Sequence, residues 1–525
     1  MKKTITDYFD ETVNRFPDRV AVTDRNRTVT YRELQAMAKN AAAALCRESL
    51  SEKPIALLFP QGADLTVAML AVLYTNHFYT VLDYDSPKER QTRILETLKP
   101  AAVLCGDLPE SMREAYEQDG IRLISLPKNS RMPDKAVEEI LSRETTGMTG
   151  ESPAYALFTS GSTGMPKGVL VTHNNVIAYI RWFTECFGIT EQTSFGAQTP
   201  LHFSMSVSDF FGSMFTGAAY HLIPKELFAL PAHLVDYLNE KQINTVYWVP
   251  SALGIVFRWD LFRYGTPAFL RTVLFAGEAM PGKYLRYWRE YLPEAAFANL
   301  FGPTETTDIC TYYKVDRDFA DGDSIPIGGA CENCELFVVD PETGKAAEKG
   351  QTGELYVKGP FVAKGYYRNS QKTDEAFVQH PFHNDYPDPV YKTGDLVRFN
   401  ERGELLSLGR KDFQIKHMGY RIELGEIEAV FNAFTERMMT VCLYEEDRDR
   451  LVLVYASDSE RGSELSEYAA ERLPIYMRPE RYERMDGLPV NPNGKIDRKA
   501  IRRKLEEEES SGTPGKPKDP KREQE

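Results

Sequence analysis

Residues 158–168 read Phe-Thr-Ser-Gly-Ser-Thr-Gly-Met-Pro-Lys-Gly, which places three glycines, four hydroxyl side chains and one lysine in eleven positions. Glycine lets backbone N–H groups come close to an anion, hydroxyls add donors and the lysine adds charge. That mixture suits a polyphosphate. It is not the Walker A spacing, because no Lys-Ser/Thr pair follows a Gly-x4-Gly, and it is not Gly-x-Gly-x-x-Gly. The apolar run Tyr155-Ala156-Leu157-Phe158 before it reads as the end of a buried strand.

Four further strings follow in order: Phe301-Gly-Pro-Thr-Glu-Thr-Thr307, Tyr391-Lys-Thr-Gly-Asp395, Gly409-Arg-Lys-Asp-Phe-Gln-Ile-Lys416 and Asn493-Gly-Lys-Ile-Asp-Arg-Lys499. With the first string they resemble the motifs of the adenylate-forming superfamily, over roughly residues 5–504. The wording is similar to the amino-acid-activating branch of nonribosomal peptide assembly, and within it to stand-alone D-alanine–carrier protein ligases.

The resemblance implies that ATP and a carboxylic acid form an acyl-adenylate, which a thiol then consumes. Two anions must meet, so cations and Mg2+ are required at the α-phosphate. By the resemblance, Thr159, Ser160, Gly161, Ser162, Thr163, Gly164 and Lys167 cradle the β- and γ-phosphates. Asn299 and Phe301 bracket adenine, with Leu300 between them in the nucleotide site and Gly302 and Pro303 leading to Thr304 at the α-phosphate. Glu305 holds the metal. Asp395 takes the ribose hydroxyls, Arg410 supports it and Asp412 is the hinge. Lys495, in a Pro-Asn-Gly turn, is the catalytic cation: a lysine point charge can bridge the substrate carboxylate and the α-phosphate. Gly419 leaves room for a phosphopantetheine arm. Glu305 alone would read as a surface or capping residue, and Asp395 as a turn residue; their motifs argue otherwise.

One departure bears on the substrate. The amino-acid branch carries Phe-Asp-x-Ser, whose aspartate pairs with the substrate ammonium; here the string is Phe203-Ser-Met-Ser206. Ser204 cannot neutralise a buried ammonium. Either Asp308, at a pocket-lining position, takes over, or the substrate lacks an α-amino group. His202 leans towards the second, since acyl-activating relatives carry a histidine there. Met205, Ser208, Ser251, Leu274, Ala276, Leu300 and Ile309 complete the pocket, a mixed set suited to a small, partly polar substrate. The expected reaction is loading of a small amino or carboxylic acid onto a separate carrier protein. The alternative is a CoA ligase for a small carboxylic acid; a catalytically dead scaffold is disfavoured by the intact charged residues.

The elements that must position these residues are legible in outline. Apolar strand-like runs such as Ile55–Phe59, Ala101–Cys105 and Ile121–Ser125 alternate with helical runs such as Ala63–Leu73. Such alternation predicts parallel sheets covered by helices. Residues 352–400 turn to short strands and suggest a distorted β-barrel. The expected fold is α/β: a large N-terminal domain of two helix-covered, mostly parallel sheets plus that barrel (residues 1–410), a small mobile α+β C-terminal domain (411–505) and a disordered tail (506–525). The tail is too polar to bury a core.

At 525 residues and 42% hydrophobic content the chain can build large cores. The net charge of −14 argues against nucleic acid as the main partner. No stretch of 18 apolar residues or N-terminal h-region is present, so membrane insertion and secretion are not expected. Seven cysteines fit a reducing cytoplasm. The eight histidines show no metal-ligand spacing. Arg478, Arg481, Arg484, Arg498 and Arg502 are the basic side chains near the lysine loop that could meet an acidic carrier.

Overall fold

The structure, a computed structural model, describes residues 4–48, 50, 54–126, 133–161, 165–320, 323–412, 414–434, 439–489 and 496–510. Lys495, Ser162, Thr163 and Gly164 therefore lie outside the described residues, as does most of the expected tail. The chain divides into two compact units, one of residues 1–160 with 165–421, the other of residues 422–525 with 161–164.

In the first unit, six strands form one sheet in the order Leu123–Ser125, Ala102–Cys105, Pro54–Leu58, Phe78–Val81, Pro153–Thr159, Lys167–Thr172. All pairings are parallel except the last. Pro54–Leu58 is buried on both faces, and the helix Ala63–Leu73 is apolar nearly all round and buried likewise. A nine-stranded sheet has Ser194–Ala197, Ala219–Leu222, Thr245–Trp248, Thr272–Ala276 and Ala296–Phe301 as its parallel centre. Helices such as Ser206–Thr216 cover it, with Phe210, Phe211 and Met214 in a continuous core with Trp248 and Trp288. Residues 335–410 form a five-stranded antiparallel sheet around the long strand Pro389–Phe399, a curled sheet where the sequence suggested a barrel.

Parallel strands put their loops at the carboxyl ends together, and that is where α/β sheets bind ligands. Thr159, Trp248, Ala276 and Phe301 are the last residues of four such strands.

In the second unit, the strands Met439–Glu445, Arg450–Ala456 and Arg481–Met485 form one sheet. Val441, Leu443, Val452 and Val454 pack with Ile501 and Leu505 of the helix Arg498–Ser510. That helix runs five residues into the stretch expected to be tail.

Candidate active site

The two ends of the glycine-rich string face each other, because Thr159 and Lys167 are register partners in an antiparallel hairpin. Lys167 Nζ lies 4.8 Å from the Tyr366 ring centroid, 3.4 Å from its hydroxyl and 3.8 Å from Glu305 Oε1. Glu305 sits in the 3-10 turn Thr304–Thr306 and is fully buried. Tyr366 donates to its Oε1 at 2.6 Å and Arg421 Nη1 to its Oε2 at 2.6 Å. Burial alone would push this carboxyl up, but Arg421, Lys167 and the Tyr366 hydroxyl outweigh it and hold it at about 2. Arg421 is itself anchored: its Nε donates to Gln414 Oε1 at 2.5 Å, and its carbonyl accepts from Ser160 Oγ at 2.7 Å.

This arrangement tests the metal assigned to Glu305. Mg2+ takes oxygen ligands at octahedral positions, usually one or two carboxylates plus phosphates. Here a single carboxylate meets an arginine, a lysine and a tyrosine, with both oxygens engaged. As arranged, these residues do not fit Mg2+.

A second cationic cluster lies nearby. Arg410 grips Asp412 with Nε and Nη2 at 2.7 and 2.8 Å, donates to the Thr393 carbonyl and pairs with Asp395 Oδ1 at 3.1 Å. Thr393 Oγ1 in turn accepts from the Asp395 N–H. Lys416 is half-buried, with Nζ 4.9 Å from the Phe301 ring centroid. Burial lowers its pKa, and Asp395 only partly opposes the shift.

A cavity of about 90 Å³ connects these groups to the acid pocket. Its wall includes Phe203, Ser204, Met205, Ala276, Gly302, Pro303, Thr304, Asp308, Ile309, Asp395, Arg410, Lys416 and Gly419. Asp308 is 1% exposed. Its Oδ2 accepts from Ser208 Oγ at 2.7 Å, Tyr179 OH at 3.0 Å and Tyr247 OH at 3.2 Å. Its Oδ1 accepts no hydrogen bond among the described residues. Burial pushes this carboxyl up to about 6; the three hydroxyls and Lys416 hold it down only in part. Asp209, buried behind it, is pushed well up by burial and by Asp308. The pocket therefore presents one desolvated carboxylate, held from one side and lacking a counter-ion in hydrogen-bond contact.

Most of the residues read from the sequence meet here. Ser204 accepts weakly from Thr304 Oγ1 at 3.4 Å. Ser208 acts through Asp308. Asn299 spends its amide on the Pro326 carbonyl at 2.8 Å, and Leu300 is core; neither lines the cavity. His202 does not line it either: its ring packs on Phe203 at 4.5 Å, its Nε2 is 4.0 Å from Asp83 Oδ2, and burial lowers its pKa to about 4. Sequence reading missed Tyr179, Tyr247, Tyr366, Lys416 and Arg421. It also missed a group formed by His380, His383 and Asp388, whose potential ligand atoms lie within 4.8 Å of one another. There Asp388 Oδ2 is bound by Lys358 at 2.9 Å and His383 Nε2 at 3.1 Å, which makes it a clip at a hairpin tip.

The family model described as AMP-binding enzyme matches residues 9–367. The chain is 31% identical over 520 residues to tyrocidine synthase 1 of Brevibacillus parabrevis, covering 95% of this chain and 45% of that protein. It therefore spans less than half of that relative's length. Over 504 residues it is 31% identical to the L-proline--[L-prolyl-carrier protein] ligase of Pseudomonas fluorescens, covering 94% of this chain and 97% of that one. Among solved structures, the Vibrio cholerae adenylation domain AlmE in complex with glycyl-adenosine-5'-phosphate superposes with a TM-score of 0.80 at 23% identity, covering 97% of this chain and 98% of that chain. At that identity the likeness concerns the fold.

Proposed function

Because the chain belongs to the AMP-binding enzyme family, we propose that it uses ATP to activate a small amino acid as its adenylate and passes the acyl group to the phosphopantetheine thiol of a carrier protein. In the first half-reaction a carboxylate oxygen bonds to the α-phosphorus, the bond to the bridging oxygen breaks, and pyrophosphate leaves. In the second, the thiol sulfur bonds to the acyl carbon and AMP leaves. Lys167 faces the phosphates from the glycine-rich hairpin, Asp395 with Arg410 takes the ribose, and Lys495 bridges the reacting anions. Residues 1–410 carry the nucleotide and acid sites, and Asp412 is the hinge for the domain that carries Lys495.

The observation behind an amino acid, as opposed to a plain acid, is Asp308. A fully buried carboxylate with three hydroxyls on one oxygen and none on the other is costly unless a cation completes it. A substrate ammonium does so, and takes over the role that Ser204 cannot fill. D-alanine is one candidate among small amino acids.

The test is substrate-dependent pyrophosphate exchange with purified protein, across D- and L-amino acids, β-amino acids and small hydroxy and aryl acids. Exchange with an amine-bearing acid, lost in Asp308→Asn, supports the reading. Exchange only with acids lacking an amine overturns the amine anchor. Consumption of the adenylate by free CoA would instead make the protein a CoA ligase.

A further inference from the structure

Two pairs of side chains mark two depths of the acid pocket. In the outer pair, Thr304 Oγ1 donates to Ser204 Oγ at 3.4 Å, and both residues are half-buried. In the inner pair, Ser208 Oγ donates to Asp308 Oδ2 at 2.7 Å, and the two residues are 0% and 1% exposed. Each inner residue lies four positions after its outer counterpart. From Ser204 to Ser208 the chain enters the helix Ser206–Thr216, so the inner pair stands about one helical turn, roughly 5–6 Å, from the outer one.

The outer pair adjoins the phosphate end. Thr304 opens the turn that holds Glu305, and Lys167 of the glycine-rich hairpin reaches to 3.8 Å from that carboxylate. An acid that attacks the α-phosphate must set its carboxyl there. Its α-carbon then stands beside Ser204, whose hydroxyl has no charge to offer an ammonium. Among the described residues, the carboxylates in the cavity wall are Asp395 and Asp308. Asp395 is paired with Arg410. Asp308 is held at its depth, because Tyr179, Tyr247 and Ser208 fix Oδ2 from a helix, a strand and a second helix. The amine has to come to the carboxylate.

We infer that the substrate carries its amine beyond the α-carbon, as a β- or γ-amino acid does, with Asp308 Oδ1 receiving the ammonium and Ser204 facing an uncharged α-methylene. This rests on the proposed function, which fixes the phosphate end. An α-ammonium would sit desolvated at the depth of Ser204 and leave Asp308 unpaired below it, so two charges would be buried without partners. Moving the nitrogen to the β- or γ-carbon carries it towards Asp308 and satisfies both. That sets β-alanine ahead of D-alanine among small substrates.

The experiment measures kcat/KM for pyrophosphate exchange with 2-, 3- and 4-aminobutanoate, which have the same atoms and differ only in the position of the amine. Alanine against β-alanine and phenylalanine against β-phenylalanine extend the comparison to smaller and larger acids. The better of the 3- and 4-amino isomers is expected to exceed the 2-amino isomer by about a hundredfold or more. Asp308→Asn should erase most of that preference. Ser204→Asp combined with Asp308→Asn moves the carboxylate outward and should make the 2-amino isomer the better substrate, a gain that misfolding cannot imitate. Should that double variant fail to fold, Ser204→Asp alone should raise exchange with the 2-amino isomer by about tenfold or more. Equal rates across the isomers, or a preference for α-amino acids in the unsubstituted chain, would overturn the inference. If that α-amino activity is lost in Asp308→Asn, the amine anchor itself still stands. Exchange only with acids that bear no amine sinks the anchor and this inference together, and exchange with no acid sinks the catalytic reading.

Discussion

At the scale of single residues, Asp308 concentrates the substrate question, because its charge state and its partners can be changed independently. Replacing it with asparagine keeps the shape and removes the charge. Loss of one partner from a buried ion pair costs roughly 3–5 kcal/mol, so kcat/KM for an amine-bearing acid should fall by roughly two to four orders of magnitude. Ser208→Ala removes one of three donors, worth about 1 kcal/mol, and should cost several-fold. The pH dependence follows from the raised pKa of about 6 against an ordinary aspartate value of 3.8. Below about 6 the free carboxyl is protonated and cannot pair with an ammonium, so kcat/KM should rise as pH climbs through about 6. Stability runs the other way. The folded state holds this proton more tightly than the unfolded chain, so the contribution is intact below 3.8 and is lost as pH rises towards about 6. The loss amounts to about 3 kcal/mol at most. Asp308→Asn should flatten both profiles, measured by initial rates and by denaturant unfolding across pH 4–8.

At the scale of elements, the turn that leads from the strand Ala296–Phe301 into Asp308 explains why the pocket can close. Thr307 takes a left-handed φ of 66°, and Gly302 lies against the returning backbone. A Cβ on Gly302 would sit 2.2 Å from the Asp308 carbonyl oxygen and 2.6 Å from Ile309 Cα. Backbone cannot rotate away as a side chain can, so Gly302→Ala should displace Asp308 and destabilise the protein by about 2 kcal/mol or more, read as a lower unfolding midpoint and a higher KM. Gly419 is different. It has φ of 80°, and its Cβ would meet Val249 Cγ1, a side-chain atom, at 2.5 Å. Gly419→Ala is strained by that φ as well as by the contact, so it should lower the unfolding midpoint as well as slow transfer to a carrier. The contrast also marks what a sequence can convey. The helix Ala63–Leu73 and the strand around Ile55 were legible because their apolar runs are local and bounded. Asp308 was legible because it follows a motif at a fixed offset. Tyr179 and Tyr247 were not, because they reach Asp308 across 129 and 61 residues from a helix and a strand that look like ordinary core. Arg421 hid for the same reason: Glu305 lies 116 residues away. His202 misled, since its neighbourhood buries it and spends its ring on Phe203.

At the scale of the whole molecule, a chain of net charge −14 must gather its cations where ATP binds. Lys167, Arg410, Lys416 and Arg421 do so within the first unit, offset by Glu305, Asp308, Asp395 and Asp412. The second unit spends its arginines on itself. Arg478 donates to the carbonyls of Leu473 and Ala470, Arg481 pairs with Glu483 and Glu445, and Arg498 bonds Glu428 and the Cys442 carbonyl. Reversing Arg478 and Arg481 should therefore lower the unfolding midpoint before it alters any carrier interaction. What the first unit lacks, on this reading, is the charge that Lys495 brings to the reacting carboxylate and α-phosphate. Lys495→Ala removes that charge. Pyrophosphate exchange should fall by two orders of magnitude or more, because one lost donor to developing charge costs about 3–4 kcal/mol. The unfolding midpoint and ATP affinity by calorimetry should stay as they were. Transfer from a supplied acyl-adenylate to a carrier thiol should survive, since no α-phosphate is attacked in that step. If exchange persists in Lys495→Ala, the cation for the first half-reaction belongs to the first unit, and the half-buried Lys416, which feels the Asp395 charge, becomes the residue to replace next.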